Sequence, residues 1–299
     1  MTRVYVAGAG GMLGRAFYEE FGSSAEARCT DIDLNEDWLA HVDVRDLEAY
    51  RDDVQAFRPD VLMHLAALTD LEYCEKHPDE AFATNAVGAE NATYIATALD
   101  IPLVYVSTAG VFDGTHDHYD DWDVPNPLGV YARAKYAGEQ AVRHNTRRHL
   151  ICRAGWMMGG GPAKDKKFIK KLMVQLRDGA TELFVVDDKH GTPTYTRDFA
   201  RNVALLLEHG YWGLYNMVCS GAATRLDVAW ELLRVLGLEN EVKLRSVGSE
   251  HFADSYFAPR PEHEGLLNRK LALRGLDAMR PWRDALADYI ATDWAGYLT

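Results

Sequence analysis

Short, wholly apolar runs alternate along the first half of the chain with longer segments in which apolar positions recur every three or four residues. The first kind reads as buried strands and the second as amphipathic helices. Strand runs fall at residues 3–7, 26–29, 61–66, 103–107 and 149–154, with a shorter one at 41–46. Helical patterns follow Gly14 to about Phe21, run from an Asp46 cap through Phe57, cover 78–99 and open at Tyr131. Strands alternating with helices predict a parallel, doubly wound sheet whose ligands lie beyond the carboxyl ends of the strands.

The pattern breaks after Ala154. Gly155-Trp-Met-Met158 and the glycines up to Pro162 mark the point where the chain leaves the sheet. A helix through Arg177 and a strand at 183–186 belong to a second lobe; residues 192–196 bring the chain back, with a helix over 197–209 and a strand over 214–218. From Thr224 on, the remainder reads as mostly helical. The expected division is a dinucleotide-binding domain over 1–155, rejoined by 191–220, and a smaller C-terminal substrate-binding lobe made of 156–190 and 221–299.

The first strand runs directly into Gly8-Ala-Gly-Gly11-Met12-Leu13-Gly14 and then a helix. Strand, glycine-rich turn and helix together form a phosphate-binding turn, because bare backbone N–H groups and the positive helix end can approach a pyrophosphate. This makes the expected fold a Rossmann-type α/β sheet. Asp31, at the end of the second strand, stands where a carboxylate accepts from the adenosine ribose hydroxyls. A 2′-phosphate would be repelled there, so NAD(H) is favoured over NADP(H). The strand at 41–46 would set Asp43 and Val44 near the adenine, and the small Ala66 and Ala67 would let the cofactor lie against backbone.

Tyr131 and Lys135 sit four apart at the start of a helix and share a face. An ammonium beside a phenol favours the phenolate and brings it into range for proton transfer. With the Thr108 hydroxyl alongside, the three groups could hold a carbonyl or alcohol oxygen.

Composition narrows the partners. The 299 residues are 47% hydrophobic and carry a net charge of −13, which argues against nucleic acid. The lysines from Lys164 to Lys171 alternate with apolar positions and read as the wet face of a helix. Cys29, Cys74, Cys152 and Cys219 lack paired spacing and suit a reduced, cytoplasmic protein; no signal peptide or membrane span is expected. His116-Asp-His118 lies in an acidic loop, and no zinc or hydrolase motif occurs, so no metal site is expected.

In this order the residues resemble an extended short-chain dehydrogenase/reductase, and more narrowly the dTDP-4-dehydrorhamnose reductase group. The resemblance rests on the glycine turn, His64-Leu-Ala-Ala67, Ser107-Thr108 with Val111-Phe-Asp-Gly114, Tyr131 and Lys135 with Ala137-Gly-Glu139, Arg153-x-x-Trp156, Gly191-Thr-Pro-Thr194 and Arg260-Pro261. It implies NAD(P)H-dependent reduction of the C4 keto group of a nucleotide-activated 6-deoxysugar. Tyr131 would be the acid, Lys135 would lower its pKa and hold the nicotinamide ribose, and Thr108 would bond the same oxygen. Asn85 would approach the cofactor, Trp156 would contact the sugar, and Arg260 would meet the nucleotide diphosphate. A homodimer is left open. Ala109-Gly110 departs from the Asp-Tyr usual in the group and removes a carboxylate and a ring from the pocket, which bears on the sugar's identity. Two other readings stand beside this one: an epimerase or dehydratase with bound NAD, and a non-catalytic NAD(P)-binding subunit like the regulatory subunit of methionine adenosyltransferase.

Overall fold

The computed structural model describes residues 2–22 and 25–298. In its first half, strands β1 (Thr2–Ala7), β2 (Ala25–Asp31), β3 (Leu39–His41), β4 (Val61–His64), β5 (Leu103–Thr108) and β6 (His149–Ala154) alternate with helices. These are α1 (Gly14–Gly22), α2 (Leu47–Phe57), α3 (Leu71–Lys76), α4 (Pro78–Phe82), α5 (Gly88–Ala98) and α6 (Val130–Asn145). The second half adds β7 (Trp156–Met158), α7 (Gly161–Lys164), α8 (Phe168–Arg177), β8 (Glu182–Val186), β9 (His190–Gly191), β10 (Pro193–Tyr195), α9 (Thr196–His209) and β11 (Gly213–Asn216). It ends with β12 (Ala223–Thr224), α10 (Arg225–Leu236), β13 (Lys243–Val247), β14 (His263–Glu264), α11 (Arg269–Arg274) and α12 (Trp282–Asp293).

Seven strands form one sheet in the order β11-β6-β5-β4-β1-β2-β3, every pair parallel. The order reverses between β1 and β4, which is where such sheets open a crevice for ligands. Buried on both faces, the strands feed two cores by alternation. Val4, Val6, Met63, Val104 and Cys152 pack with Phe17 of α1 and Phe199 of α9. Tyr5, Ala7, Leu62, Tyr105 and Ile151 pack with Tyr50 of α2 and Ile95 of α5. No helix among the described residues is long and apolar enough to cross a membrane.

Helix termini explain several boundaries. Asp46 caps α2 by accepting from the N–H groups of Glu48 and Ala49, and Thr224 and Asp227 form a reciprocal capping box on α10. The helical stretch expected over 78–99 is one run from α4 to α5, interrupted by a π turn at Ala83–Val87 that carries Asn85. Such a turn marks a place where the ladder is distorted to aim a side chain.

Three expectations change. The third strand ends at His41 instead of spanning 41–46, because the Asp43 carboxylate accepts from the Arg45 N–H at 2.9 Å and turns the chain. Residues 193–195 pair with β7, so the chain re-enters the large sheet only at β11. The stretch after Thr224 is less helical than its composition suggests, since β13 pairs in parallel with β8 across a long sequence separation that local periodicity does not register.

Candidate active site

The carboxyl ends of β1, β2, β4, β5 and β6 open on one cleft of about 1710 Å³. Gly8, Gly11, Met12, Leu13, Asp31, Asp43, Val44, Ala66, Ala67, Thr108, Tyr131, Lys135, Trp156 and Arg260 all line it. At the dinucleotide end, Gly8 has φ +82, and a Cβ there would stand 2.2 Å from the Ala66 nitrogen. Only glycine fits that crossing. Asp31 accepts from the Gly10 N–H at 2.8 Å and the Asp33 N–H at 3.0 Å, which ties β2 to the glycine turn.

Two sequence candidates lie behind the lining. Gly14 is buried where a Cβ would stand 1.9 Å from the Ala9 carbonyl, so it serves the packing of α1 on β1. Asn85 is fully buried and holds Leu68 from both sides, accepting from its N–H at 2.7 Å and donating to its carbonyl at 2.9 Å. It braces the loop after β4, which lines the cleft, instead of reaching the cleft itself.

Asp43 reaches the lining, but its carboxylate is gripped by the Arg45 guanidinium, which holds it below the usual carboxylate range. Arg45 is thereby engaged, and Glu80 adds a second acid at 3.7 Å.

Helix α6 carries Tyr131, Lys135 and Glu139 four residues apart on one stripe. The first N–H of the helix donates to the Glu75 carboxylate of α3 at 2.6 Å, which fixes the end that presents Tyr131. Glu139 is fully buried and bound by Arg153 of β6 at 2.5 Å and by the Ser107 hydroxyl of β5 at 2.9 Å. This triad seats the helix against the strand ends.

The expectation that Lys135 lowers the Tyr131 pKa does not hold in this arrangement. Burial pushes the phenol up to about 12, and what acts downward is the Thr108 hydroxyl. Lys135 is 3% exposed, its ammonium lies 4.2 Å from the centre of the Tyr105 ring, and burial lowers it to about 7 against the upward pull of Glu139. A buried ammonium without a close anion loses more in hydration than it can lend to a neighbour.

That burial has a consequence for stability. Between about pH 7 and 10.5 the folded chain binds fewer protons at Lys135 than the unfolded chain does. The cost is absent above 10.5, grows as pH falls toward 7 and is constant below. Lys135→Met is therefore expected to raise the thermal midpoint, and by more at pH 6 than at pH 9. Equal gains at the two pH values, read by calorimetry, would contradict the burial argument.

The opposite end of the cleft is cationic. Lys167 and Lys171 line it with Lys189, Arg225 and Arg260; Lys171 is exposed on its helix as a wet face requires, whereas Lys164 is buried at the dinucleotide end, 3.0 Å from Glu36 and over the Trp38 ring. Helix α8 begins only at Phe168, and Lys167 reaches across to donate to the Thr69 carbonyl at 2.9 Å. Arg260 pairs with Glu72 of α3 at 2.7 Å while still facing the cleft.

Trp156 stands between Arg225, stacked 3.6 Å from its ring centre, and Glu264, which accepts from its Nε1 at 2.7 Å. Gly191 makes room for it, since a Cβ there would meet the indole at 2.3 Å. Neither Arg225 nor Glu264 was visible as a site residue in the sequence. Arg225 reads as an ordinary first residue of a helix, and Glu264 enters through the two-residue pairing of β14 with β9.

Known proteins resemble this chain along nearly its whole length. The spore coat polysaccharide biosynthesis protein SpsK of Bacillus subtilis is 31% identical over 97% of both chains. A dTDP-4-dehydrorhamnose reductase of Mycolicibacterium smegmatis is 32% identical over 97% of this chain and 85% of its own. The crystal structure of a dTDP-4-dehydrorhamnose reductase from Bacillus anthracis in complex with NADP superposes with a TM-score of 0.87 at 29% identity, covering 97% of this chain and 99% of that one. Residues 1–294 match the family described as the RmlD substrate binding domain. With that match and these relatives, the chain belongs to the dTDP-4-dehydrorhamnose reductase family.

Proposed function

We propose that this protein reduces the C4 keto group of a nucleotide-activated 4-keto-6-deoxysugar with NADH or NADPH. The observation that carries the reading is the meeting of Tyr131, Thr108 and Lys135 in the same cleft as the glycine turn. The cradle suits a dinucleotide: Gly8 and Gly10 leave backbone bare where any side chain would strike Ala66 or Asp31. Gly11, Met12 and Leu13 would face the pyrophosphate, and Asp31 the adenosine ribose, with Asp43 and Val44 beside the adenine and Ala66 and Ala67 along the chain between. When bound, the reduced nicotinamide supplies the hydride.

The chain's own residues supply the rest. Tyr131, protonated at neutral pH, gives its proton to the C4 oxygen, and Thr108 donates to the same oxygen. Lys135, which lines the cleft, would hold the nicotinamide ribose. Trp156 offers a flat wall to the sugar, and the cationic edge that includes Arg260 suits the diphosphate. Four buried, unpaired thiols fit a cytoplasmic setting.

Dinucleotide choice follows from charge. Asp31 and Asp43 face that end, and Arg45 there is already held by Asp43. NADH is expected to support turnover at least about tenfold better than NADPH, a difference of ~1.4 kcal/mol, and Asp31→Ala to narrow the gap. A preference for NADPH in the wild-type protein would overturn the assignment. The activity itself is tested by loss of reduced-nicotinamide absorbance across a panel of dTDP-linked keto sugars; no consumption with any of them would refute it.

A further inference from the structure

The wall of the cleft beyond Thr108 has no functional side chain of its own. Ala109 is 2% exposed and packs with Val111, Phe112 and Leu266, and Gly110 leaves bare backbone. Into this gap comes Glu264, carried by β14 just ahead of Leu266, which packs on Ala109. Its Oε1 lies 3.8 Å from the point where a Cβ on Gly110 would stand, and Thr108 Oγ1 lies 3.4 Å from the same point. The carboxylate and the hydroxyl assigned to the keto oxygen therefore flank one volume small enough to be spanned within a single sugar ring.

The placement of Glu264 is built in. The β14 register sets it opposite Gly191, the residue whose missing side chain admits Trp156, and its Oε2 is fixed by the indole N–H. Burial pushes the carboxyl upward, while Trp156, Arg225, Arg260 and Lys189 favour the charged form.

A keto carbon at C4 has two ring neighbours. C5 bears the methyl group of a 6-deoxysugar and C3 bears a hydroxyl. A carboxylate oxygen turned toward the methyl would lose hydration without return, whereas toward the hydroxyl it gains a charge-assisted hydrogen bond. We propose that Glu264 reads the C3 hydroxyl of the sugar through Oε1, so that the substrate class is 3-hydroxy-4-keto sugars and 3-deoxy analogues are rejected. Glu264 thus returns to the pocket, from β14, a carboxylate that Ala109-Gly110 does not supply from the end of β5. The inference rests on the keto-sugar reading.

The test is calorimetric, on the full chain saturated with oxidised dinucleotide. The probes are a dTDP-linked 6-deoxyhexose with its C3 hydroxyl and the 3-deoxy analogue. The wild-type protein is expected to bind the hydroxylated sugar at least about thirtyfold more tightly, within the range of a hydrogen bond to a charged acceptor. Glu264→Gln keeps the shape and an acceptor for Trp156 but removes the charge, and should cut the ratio to a few-fold; Glu264→Ala should bring it near one. A wild-type ratio near one overturns the inference, as does a ratio unchanged in either variant or failure to bind either sugar. The wild-type comparison stands even where a variant does not fold. An intact ratio in a protein that transfers no hydride to the matching keto sugar would refute the reductase reading and leave Glu264 recognition supported.

Discussion

Tyr131→Phe is expected to lower kcat for keto-sugar reduction by about 10²–10⁴-fold while changing dinucleotide affinity by less than about twofold. The phenol faces the cleft beside Thr108, and burial raises its pKa to about 12, so at neutral pH it holds the proton that the C4 oxygen needs. Removing the hydroxyl leaves the ring, the helix cap from Glu75 and the cradle in place, so the loss should fall on turnover and not on binding. The pH profile separates the two residues of the pair. A phenol near 12 gives no change in protonation between pH 6 and 9, while Lys135, near 7, loses its charge as pH rises through neutrality. Reduction is expected to slow above about pH 7 in the wild-type protein, and this limb should disappear in Lys135→Met. A Tyr131→Phe enzyme within tenfold of wild-type kcat would mean that another group delivers the proton.

The sheet and the cofactor turn were legible because their determinants are local. Residues 3–14 contain a complete strand, a turn that tolerates no side chain and the start of a helix, so their meaning does not depend on distant partners. The Tyr131 and Lys135 spacing is local in the same way, and the structure places both in the cleft. What those residues experience was less legible. Spacing suggested that Lys135 would draw down the Tyr131 pKa, but burial controls both groups, and burial is a sum over many distant residues. The cationic end escaped notice for a similar reason. Lys164 and Lys167 read as one amphipathic stretch with Lys171, but both precede α8, which begins at Phe168, so their direction is set by the turns ahead of that helix. Glu264 lies at the limit of such reading, since its place comes from pairing two residues of β14 with two of β9, 73 positions away by the His190 to His263 register.

The structural counterpart of Tyr131 is Arg153. Arg153→Met is expected to destabilise the protein by about 3–5 kcal/mol, because it strands the fully buried Glu139 carboxylate without its ion-pair partner. Arg153 is 1% exposed and Glu139 is fully buried, and the guanidinium meets both carboxylate oxygens, at 2.5 and 3.0 Å. Ser107, paired with Arg153 across β5 and β6, donates to one of the same oxygens. At roughly 2–4 °C per kcal/mol for a chain of this size, the midpoint should fall by about 10 °C. The position of Glu139, one turn beyond Lys135, extends the effect to function. Loss of the triad frees α6 from the strand ends, so kcat should fall even below the melting range, whereas an equally destabilising change in the α10 and α12 core should leave kcat intact. Replacing both partners with methionine removes the stranded charge and should recover most of the stability, since an apolar pair of similar volume avoids the desolvation cost. Chemical denaturation of the two single variants and the double variant decides the matter. If Arg153→Met loses less than about 1 kcal/mol, or if the double variant is weaker than either single one, the pair is not what fastens the catalytic helix to the sheet.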